Sequence, residues 1–358
     1  MGFKTVTFSA DGENALIPAW KDYVNHYRAV NYAKKTSYSS DKTLEEKANL
    51  IEKAMKKEIS ILCPIAFSMD ESAYISNPQY KWATFAVVNK LVDTVMPAIV
   101  SDDFMGIANT QTIGYGDSAV FDIKSADLFT VTKNGHSRRH VEAQKQFTGT
   151  KALVPTNRTV TTEVDLYRVL AGKESLADYA MKVTMSIESE IAIDIMSAIK
   201  STYSTLVDNF KENGWNETQF KKLATRVSAS NGGAKTICMG TELGLANILP
   251  TNDYLKMGIG DEYNKIGYLP MYKNVPLIAI NQKIDASSVD YDFALDDNYL
   301  YFLSPQGQKL VQVVFEGNSL SIADDQFDNE NLTQKVSIHK SWAVGVITNS
   351  KYGIMKLA

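Results

Sequence analysis

The sequence is poor in the residues that most small-molecule chemistry needs. Its 358 residues include two cysteines, four histidines and nine prolines. Cys63 and Cys238 stand far apart, with no CxxC pair and no histidine at ligand spacing. That speaks against a disulfide framework or a zinc site, and both are expected to be small buried hydrophobes in a reducing compartment. There is no GxSxG, HExxH or Walker A pattern. No apolar run reaches the roughly 18 residues of a membrane span. MGFKTVTFSADGENALIPAW has no basic stretch leading into an apolar one, so no secretory signal is expected. Val6 stands where a myristoylation site has Ser or Thr. The chain begins at Met1, from which we expect no removal of an N-terminal piece. Positive charge is also short. The net charge of −4 lacks the basic excess of a dedicated nucleic-acid binder.

What is present is an ordinary globular composition, 44% hydrophobic and 22% charged, enough for one large core or two moderate ones. Residues 1–40 are aromatic-rich with weak periodicity and read as an extended arm. Residues 41–62 read as a helix capped by Asp41 or Thr43, with Leu44, Ala48, Ile51, Met55 and Ile59 on one stripe and Pro64 ending it. Residues 80–100 read as a more apolar helix whose last turn Pro97 limits. From Gly114 the pattern turns to strands: FDIK, LFTVTKNG with a hairpin signal at Asn134-Gly135, and ALVPTNRTVTTEVDLYRVL. Between them HSRRHVEAQKQFTGTKA is polar and has no apolar face. Such an excursion cannot bury a core of its own.

GKESLADYAMKVTMSIESEIAIDIMSAIKSTY then reads as one helix of about nine turns. Leu176, Ala180, Val183, Ile187, Ile191, Ile195, Ile199 and Tyr203 run down one side, and Lys173, Asp178, Lys182, Glu188 and Lys200 mark wetter positions. It is longer than most globular helices and suits a spine. Asn216 caps a further helix, Gly232-Gly233 breaks the chain, and KTICMG and TELGLANIL read as a strand and a short helix. YNKIGYLPMYKNVPLIAIN reads as two strands turning at Lys273-Asn274; NYLYFLSP and KLVQVVFEG as two more; and HKSWAVGVITNSKYGIMKLA as a hairpin around Asn349-Ser350.

Candidate chemistry is thin. Gly114-Tyr115-Gly116-Asp117 and Gly258-Ile259-Gly260-Asp261 each hold a GxG, but without the third glycine and βαβ setting of a nucleotide site they are expected to be a turn and a loop. His136, Arg138, Arg139 and His140 suit a phosphate or metal contact, or a solvated or inter-subunit face. The face is favoured, because i, i+4 ligands converge only on a helix. His26 and His339 are isolated. Glu188, Glu190 and Asp194 offer paired carboxylates for acid–base work, and on a spine helix they are expected to be solvated or bridged. Asp208, Glu212, Asp253, Asp261 and Glu262 would suit calcium or magnesium but lack EF-hand spacing. We assign no catalytic, cofactor-binding or metal-binding residue and no cofactor.

The order of parts (arm, helix, β excursion, spine helix, compact α/β unit, terminal hairpin) resembles the Hong Kong 97-type fold of tailed-bacteriophage major capsid proteins over residues 80–358. VDLYRVLAGKESLADYAMKVTMSIESEIAIDIMSAI looks like that family's return strand and spine helix, and TICMGTELGLANIL through LYFLSPQGQKLVQVVF like its axial domain. The resemblance implies an α+β fold: N-terminal arm and helix at 1–79, the start of a peripheral (P) domain at 80–113, an extended β E-loop at 114–160, the P-domain with spine helix 173–206 at 161–234, an axial (A) domain at 235–316, and a C-terminal P-domain hairpin at 317–358. It implies a non-enzymatic subunit that self-assembles into the hexamers and pentamers of an icosahedral shell around phage double-stranded DNA, located in the virion and assembled in the host cytoplasm. Implied partners are further copies of the chain, with scaffold, portal and decoration proteins as candidates, weak non-specific DNA contact and no membrane. In such shells the E-loop lies across a neighbour, which removes unpaired strand edges, and heterologous contacts close into rings. A mildly acidic subunit suits a DNA container, because a basic lining would bind DNA tightly. Some members crosslink an E-loop lysine to a neighbour's asparagine; Lys124, Lys133, Lys145 and Lys151 are available, and nothing selects one. An encapsulin-like compartment and a two-domain α/β enzyme or binding protein remain the alternatives.

Overall fold

The computed structural model describes residues 8–10, 12–32, 40–63, 78–104, 107–124, 129–133, 143–144, 148–165, 173, 175–250, 263–285, 288–304, 309–323 and 333–357. Its centre is the spine helix. Ser175 starts it by accepting a hydrogen bond from the Ala177 N–H, and it runs Leu176–Ser201 before tightening into a 3-10 turn at Thr202–Ser204. That makes about seven turns, not nine. Ala180, Val183, Ile187, Ile191, Ile195 and Ile199 are buried along it, as their spacing requires. Helix α1 (Ile17–Tyr32, entered through a π turn at Gly12–Leu16), α2 (Leu44–Leu62) and α3 (Pro78–Asp103) precede the spine, α4. All four share the largest core.

Strands β1 (Ala108–Ile113), β4 (Thr156–Asp165), β10 (Val311–Ala323) and β11 (Thr333–Val346) form a four-stranded sheet in the order β1-β10-β11-β4. β1 is parallel to β10 and the remaining pairs are antiparallel. Val311, Val313, Phe315, Val336, Ile338 and Trp342 face α3 and α4 in the main core. A buried ion pair ties helix to sheet. The Lys340 ammonium lies 2.6 Å from the Asp93 carboxylate, which also accepts from the Ser319 N–H (2.7 Å) and hydroxyl (2.6 Å). The clamp sits where β10 bulges between Glu316 and Leu320, and Lys340 also donates to the Gly317 carbonyl there.

The second sheet has the order β5-β12-β9-β6-β8-β7: β5 (Lys211–Asn213), β6 (Ile237–Thr241), β7 (Met271–Tyr272), β8 (Val275–Ile280), β9 (Tyr299–Leu303) and β12 (Gly353–Lys356). It is a wall between two cores, so its strands are apolar at successive positions instead of alternating with polar ones. Ile237, Met239, Tyr301, Leu303 and Ile354 point to the main core, while Cys238, Leu300, Phe302 and Met355 point to the opposite one. α5 (Glu217–Ser230) and α6 (Glu242–Ala246) cover the far side. The expected Asn216 cap is present, accepting from the Thr218 and Gln219 N–H groups. Lys273 and Asn274 turn β7 into β8 at φ 47° and 65°.

Several expectations are corrected. The N-terminal region is not an extended arm where it is described. Leu16, Trp20, Tyr23 and Val24 recur at helical spacing and are buried against the main core. Intervening Lys21, Asp22, Asn25 and His26 dilute the pattern. Of the two proposed caps of α2 it is Thr43 that acts, in a reciprocal capping box with Glu46. Pro97 does not end α3, which continues to Asp103. Burial of Ile99 and Val100 offsets the cost of a helical proline, about 3 kcal/mol. Glu188 is not a wet position. It is buried beside Lys283 at 3.3 Å, a countercharge from far along the chain. Asn349-Ser350 is not a hairpin turn. β11 stays in the four-stranded sheet and β12 enters the other, and the crossing is held by Asn231, which bonds both the Lys351 N–H and carbonyl. β1 went unread, and β4 and β10 run across the boundaries expected at 160 and 316.

Replacing Lys340 with Met leaves the Asp93 carboxylate buried without its cation. In urea titration Lys340→Met is expected to cost about 3 kcal/mol, with part recovered in Asp93→Asn/Lys340→Met. An unchanged midpoint would show that the clamp contributes nothing to stability.

Candidate assembly surfaces

The excursion expected at 114–160 begins as a turn. Asp117 N–H bonds the Gly114 carbonyl, and Gly116 takes φ +77°. The turn is locked to the β10 bulge: Tyr115 hydroxyl donates to the Asn318 carbonyl (2.6 Å), and Gly116 N–H donates to Glu316 Oε1 (2.6 Å). Gly317, at φ +49°, lies under the Tyr115 ring, where a Cβ would overlap it. This GxG is therefore a structural corner. From it rises a two-stranded ribbon, β2 (Ala119–Lys124) against β3 (Thr148–Leu153).

Among the described residues the ribbon is fully buried at its base alone. Ala119 and Leu153 meet Val314 of the four-stranded sheet and Ile347, just past β11, with Phe121 and Ile123 half-covered. Val120 stays exposed. Residues 129–133, expected as strand, carry none; Gln144 uses its side-chain amide to pair with both backbone groups of Thr130. Asn134-Gly135 and the cluster His136, Arg138, Arg139 and His140 lie outside the described residues, as do Lys145, Asp253, Gly258–Asp261 and Glu262. Lys133 and Lys151 are exposed.

Beyond the ribbon the chain enters β4, whose ten residues pair with β11 on one side and with no strand on the other among the described residues. β4 is fastened to the spine helix. Arg158 (2.8 Å) and the Trp342 indole N–H (2.9 Å) both donate to Asp194 Oδ2, and the guanidinium lies 5.1 Å from the Trp342 ring centre. Between β4 and the first turns of the spine lies a cavity of about 450 Å³ lined by Val160, Thr162, Glu163, Asp178, Tyr179 and Lys182, among others. Asp178 is engaged there by the Tyr23 hydroxyl, and Tyr179 by Thr162. Burial, reinforced by Asp178, pushes the Tyr23 phenol well up, and burial also raises Tyr179. Neither phenol ionises near neutrality.

The spine carboxylates do not converge. Glu188 faces Lys283, Glu190 faces solvent and Asp194 holds the sheet. Asp208 pairs with Lys211 and Glu212 with Arg226. Among the described residues no group of three or more His, Cys, Asp or Glu is placed to hold a metal ion. His339 bonds Thr159 and Asn157 on the sheet surface. Both cysteines are free and buried, and burial pushes the Cys238 thiol up, away from reactive thiolate. The interactions that sequence reasoning missed are long-range: nothing local to Asp194 or Asp93 points to Arg158, Trp342 or Lys340.

A family model described as "SPbeta prophage-derived putative capsid protein YonB" matches residues 28–356. The chain belongs to this capsid family. Its α+β architecture is the class expected from the resemblance. Solved structures similar to this YonB-family chain include the mature capsid of bacteriophage PhiM1 (12% identity, 71% of this chain and 86% of that chain, TM-score 0.47). The capsid of cyanophage P-SCSP1u matches at 10% identity over 71% and 88%, TM-score 0.49. The head of Helicobacter pylori bacteriophage KHP40 matches at 11% identity over 72% and 91%, TM-score 0.49. No curated protein matches the chain significantly.

A second ion pair fixes the loop after β8 to the far half of the spine. Lys200 lies 2.6 Å from Asp296. Burial alone would raise the Asp296 carboxyl; hydrogen bonds from Lys200 and the Asn298 N–H outweigh it and hold it below its ordinary value. A depressed folded value means the unfolded chain binds the proton more readily. The contribution is present above the ordinary carboxylate range, about pH 4, and is lost as pH falls through the folded value. Asp296→Asn is expected to flatten the loss of stability between about pH 5 and pH 2, and identical slopes would refute the assignment.

Proposed function

We propose that this chain is the major shell subunit of a phage capsid. It assembles into hexamers and pentamers of an icosahedral shell that encloses double-stranded DNA, and it catalyses no reaction. The observation that carries this reading is the capsid-family match over residues 28–356. The proposed fold is of the Hong Kong 97 type: the β2–β3 ribbon is the stem of the E-loop, α3, α4 and the four-stranded sheet form the P-domain, and the six-stranded sheet with α5 and α6 forms the A-domain. The surfaces support it. Among the described residues, a ribbon whose core lies at its base, beside a ten-residue strand without an outer strand neighbour, is a combination that a soluble monomer usually blunts or covers. A neighbouring copy supplies the missing contact. Net charge −4 lets packaged DNA slide and leave, since each neutralised phosphate would add a salt-dependent binding contribution.

Electron microscopy of the expressed chain, with scaffold protein if required, tests this. Closed shells are expected, with nuclease-protected DNA in particles taken from phage-producing cells. Compact monomers under every condition would overturn it, and a co-purifying enzyme cargo in place of DNA would favour a compartment.

Stripping apolar side chains from the ribbon separates folding from assembly. Phe121→Ser/Ile123→Ser removes half-covered apolar groups, so the monomer should lose at most about 1–2 kcal/mol, while shell yield should fall at least tenfold. Unchanged shell yield would contradict the ribbon's role.

A further inference from the structure

We propose that the hairpin following β8 is a docking knob, and that it seats on the β7 edge of the six-stranded sheet in the next copy of this chain. The inference rests on the shell-subunit reading and names a contact within it. The hairpin is closed by an Ile284–Phe293 bridge, by the Asp285 N–H to the Asp292 carbonyl and by the Ala294 N–H to the Lys283 carbonyl. At its tip the Ser288 hydroxyl bonds Asp292 and accepts from the Asp290 and Asp292 N–H groups. Its large side chains point outward: Ile284 is 51% exposed, Val289 90%, Tyr291 74% and Phe293 59%. Scattered single apolar residues are normal on a surface, but four on one short hairpin are a patch.

The backbone shows that this presentation is built in. Tyr291 holds φ +58°, a left-handed conformation that costs a non-glycine residue energy and persists only where neighbours impose it. The tip hydrogen bonds impose it here. The stem is anchored from below, through Lys283 on Glu188 and Lys200 on Asp296. A ring displayed from a backbone conformation that local hydrogen bonds fix is preorganised for contact.

Charge and position select the occupant. Asp285, Asp290 and Asp292 flank the apolar residues, so the complementary face is apolar with lysines. The β7 edge has that character. Ile266 and Met271 are 45% and 51% exposed, and Lys265 and Lys273 lie on the same segment. Lys273 also pairs with Glu217, and its carbonyl accepts from Lys221. β7 pairs with the first residues of β8, whereas the hairpin follows the last, so the two patches are separated by roughly 15–20 Å of strand. A knob and a socket at different places on one molecule join head to tail and close into a ring. Four side chains make the centre of an interface, not all of it.

Two measurements test this. Tyr291→Gly removes the ring and also relieves the left-handed backbone, so the fold should be at least as stable by thermal unfolding. Assembly should nevertheless require at least tenfold more protein. A variant that assembles at the wild-type concentration would overturn the inference, as would one whose assembly falls only in step with a lowered unfolding midpoint. Separately, Val289→Cys and Met271→Cys chains are assembled alone and mixed, then treated with a short bis-maleimide. Crosslinked dimers should form only in the mixture, because Cys63 and Cys238 are buried. Crosslinking of Val289→Cys alone would mean a two-fold contact, and none in mixed shells would mean no such contact; either overturns the knob and socket. Failure of the wild-type chain to form shells at all strikes the shell-subunit reading instead.

Discussion

The apolar side of the spine helix cannot be covered by any single element, and the rest of the fold is arranged around that constraint. A helix of 26 residues is about 39 Å long at 1.5 Å per residue. α3 and the four-stranded sheet cover part of it, α1 and α2 pack at its first turns, and one face of the six-stranded sheet closes the remainder. Deleting a fully buried ring such as Trp20 or Trp342 from such a core costs about 3–5 kcal/mol. Polar clamps then fix the angles: Asp194 to Arg158 and Trp342, Asp93 to Lys340, Glu188 to Lys283, and Asp296 to Lys200. Each joins residues remote in sequence, so they act as registration pins for an already apolar assembly.

This division explains what was legible in the sequence. Periodic, capped elements were: the α2 stripe, the spine stripe, the Asn216 cap and the Lys273-Asn274 turn are all local signals. Elements whose identity is set by distant partners were not. Residues 108–113 (ANTQTI) have no strand-like alternation and become β1 only because β10 offers a parallel edge. α1 was obscured because its apolar residues are aromatic and interleaved with charge. Asn349-Ser350 has good turn residues, but β12 finds its partners in β9 and β5. Of the candidate surfaces, the polar excursion was visible as a segment without a core. The exposed hairpin after β8 was not, since Val289, Tyr291 and Phe293 read like any buried strand until their exposure is known.

The same division separates what one copy completes from what it leaves open. The two large cores are closed within the chain, and burial holds the Cys238 thiol and the Tyr301 phenol protonated. The ribbon, the outer edge of β4, the β7 edge and the hairpin tip are among the places where apolar or backbone groups lack intramolecular cover among the described residues. In a capsid family, such surfaces suit contacts between copies, because a shell needs subunits that are finished inside and unfinished at the rim.

Amide hydrogen exchange, compared between unassembled subunit and purified shell, tests that division most directly. The account predicts slow exchange across 176–201 in both forms. It predicts that 119–124 and 148–153 exchange rapidly in the free subunit and become protected on assembly. A ribbon equally protected in the free subunit, or a spine helix that gains its protection only in the shell, would contradict it.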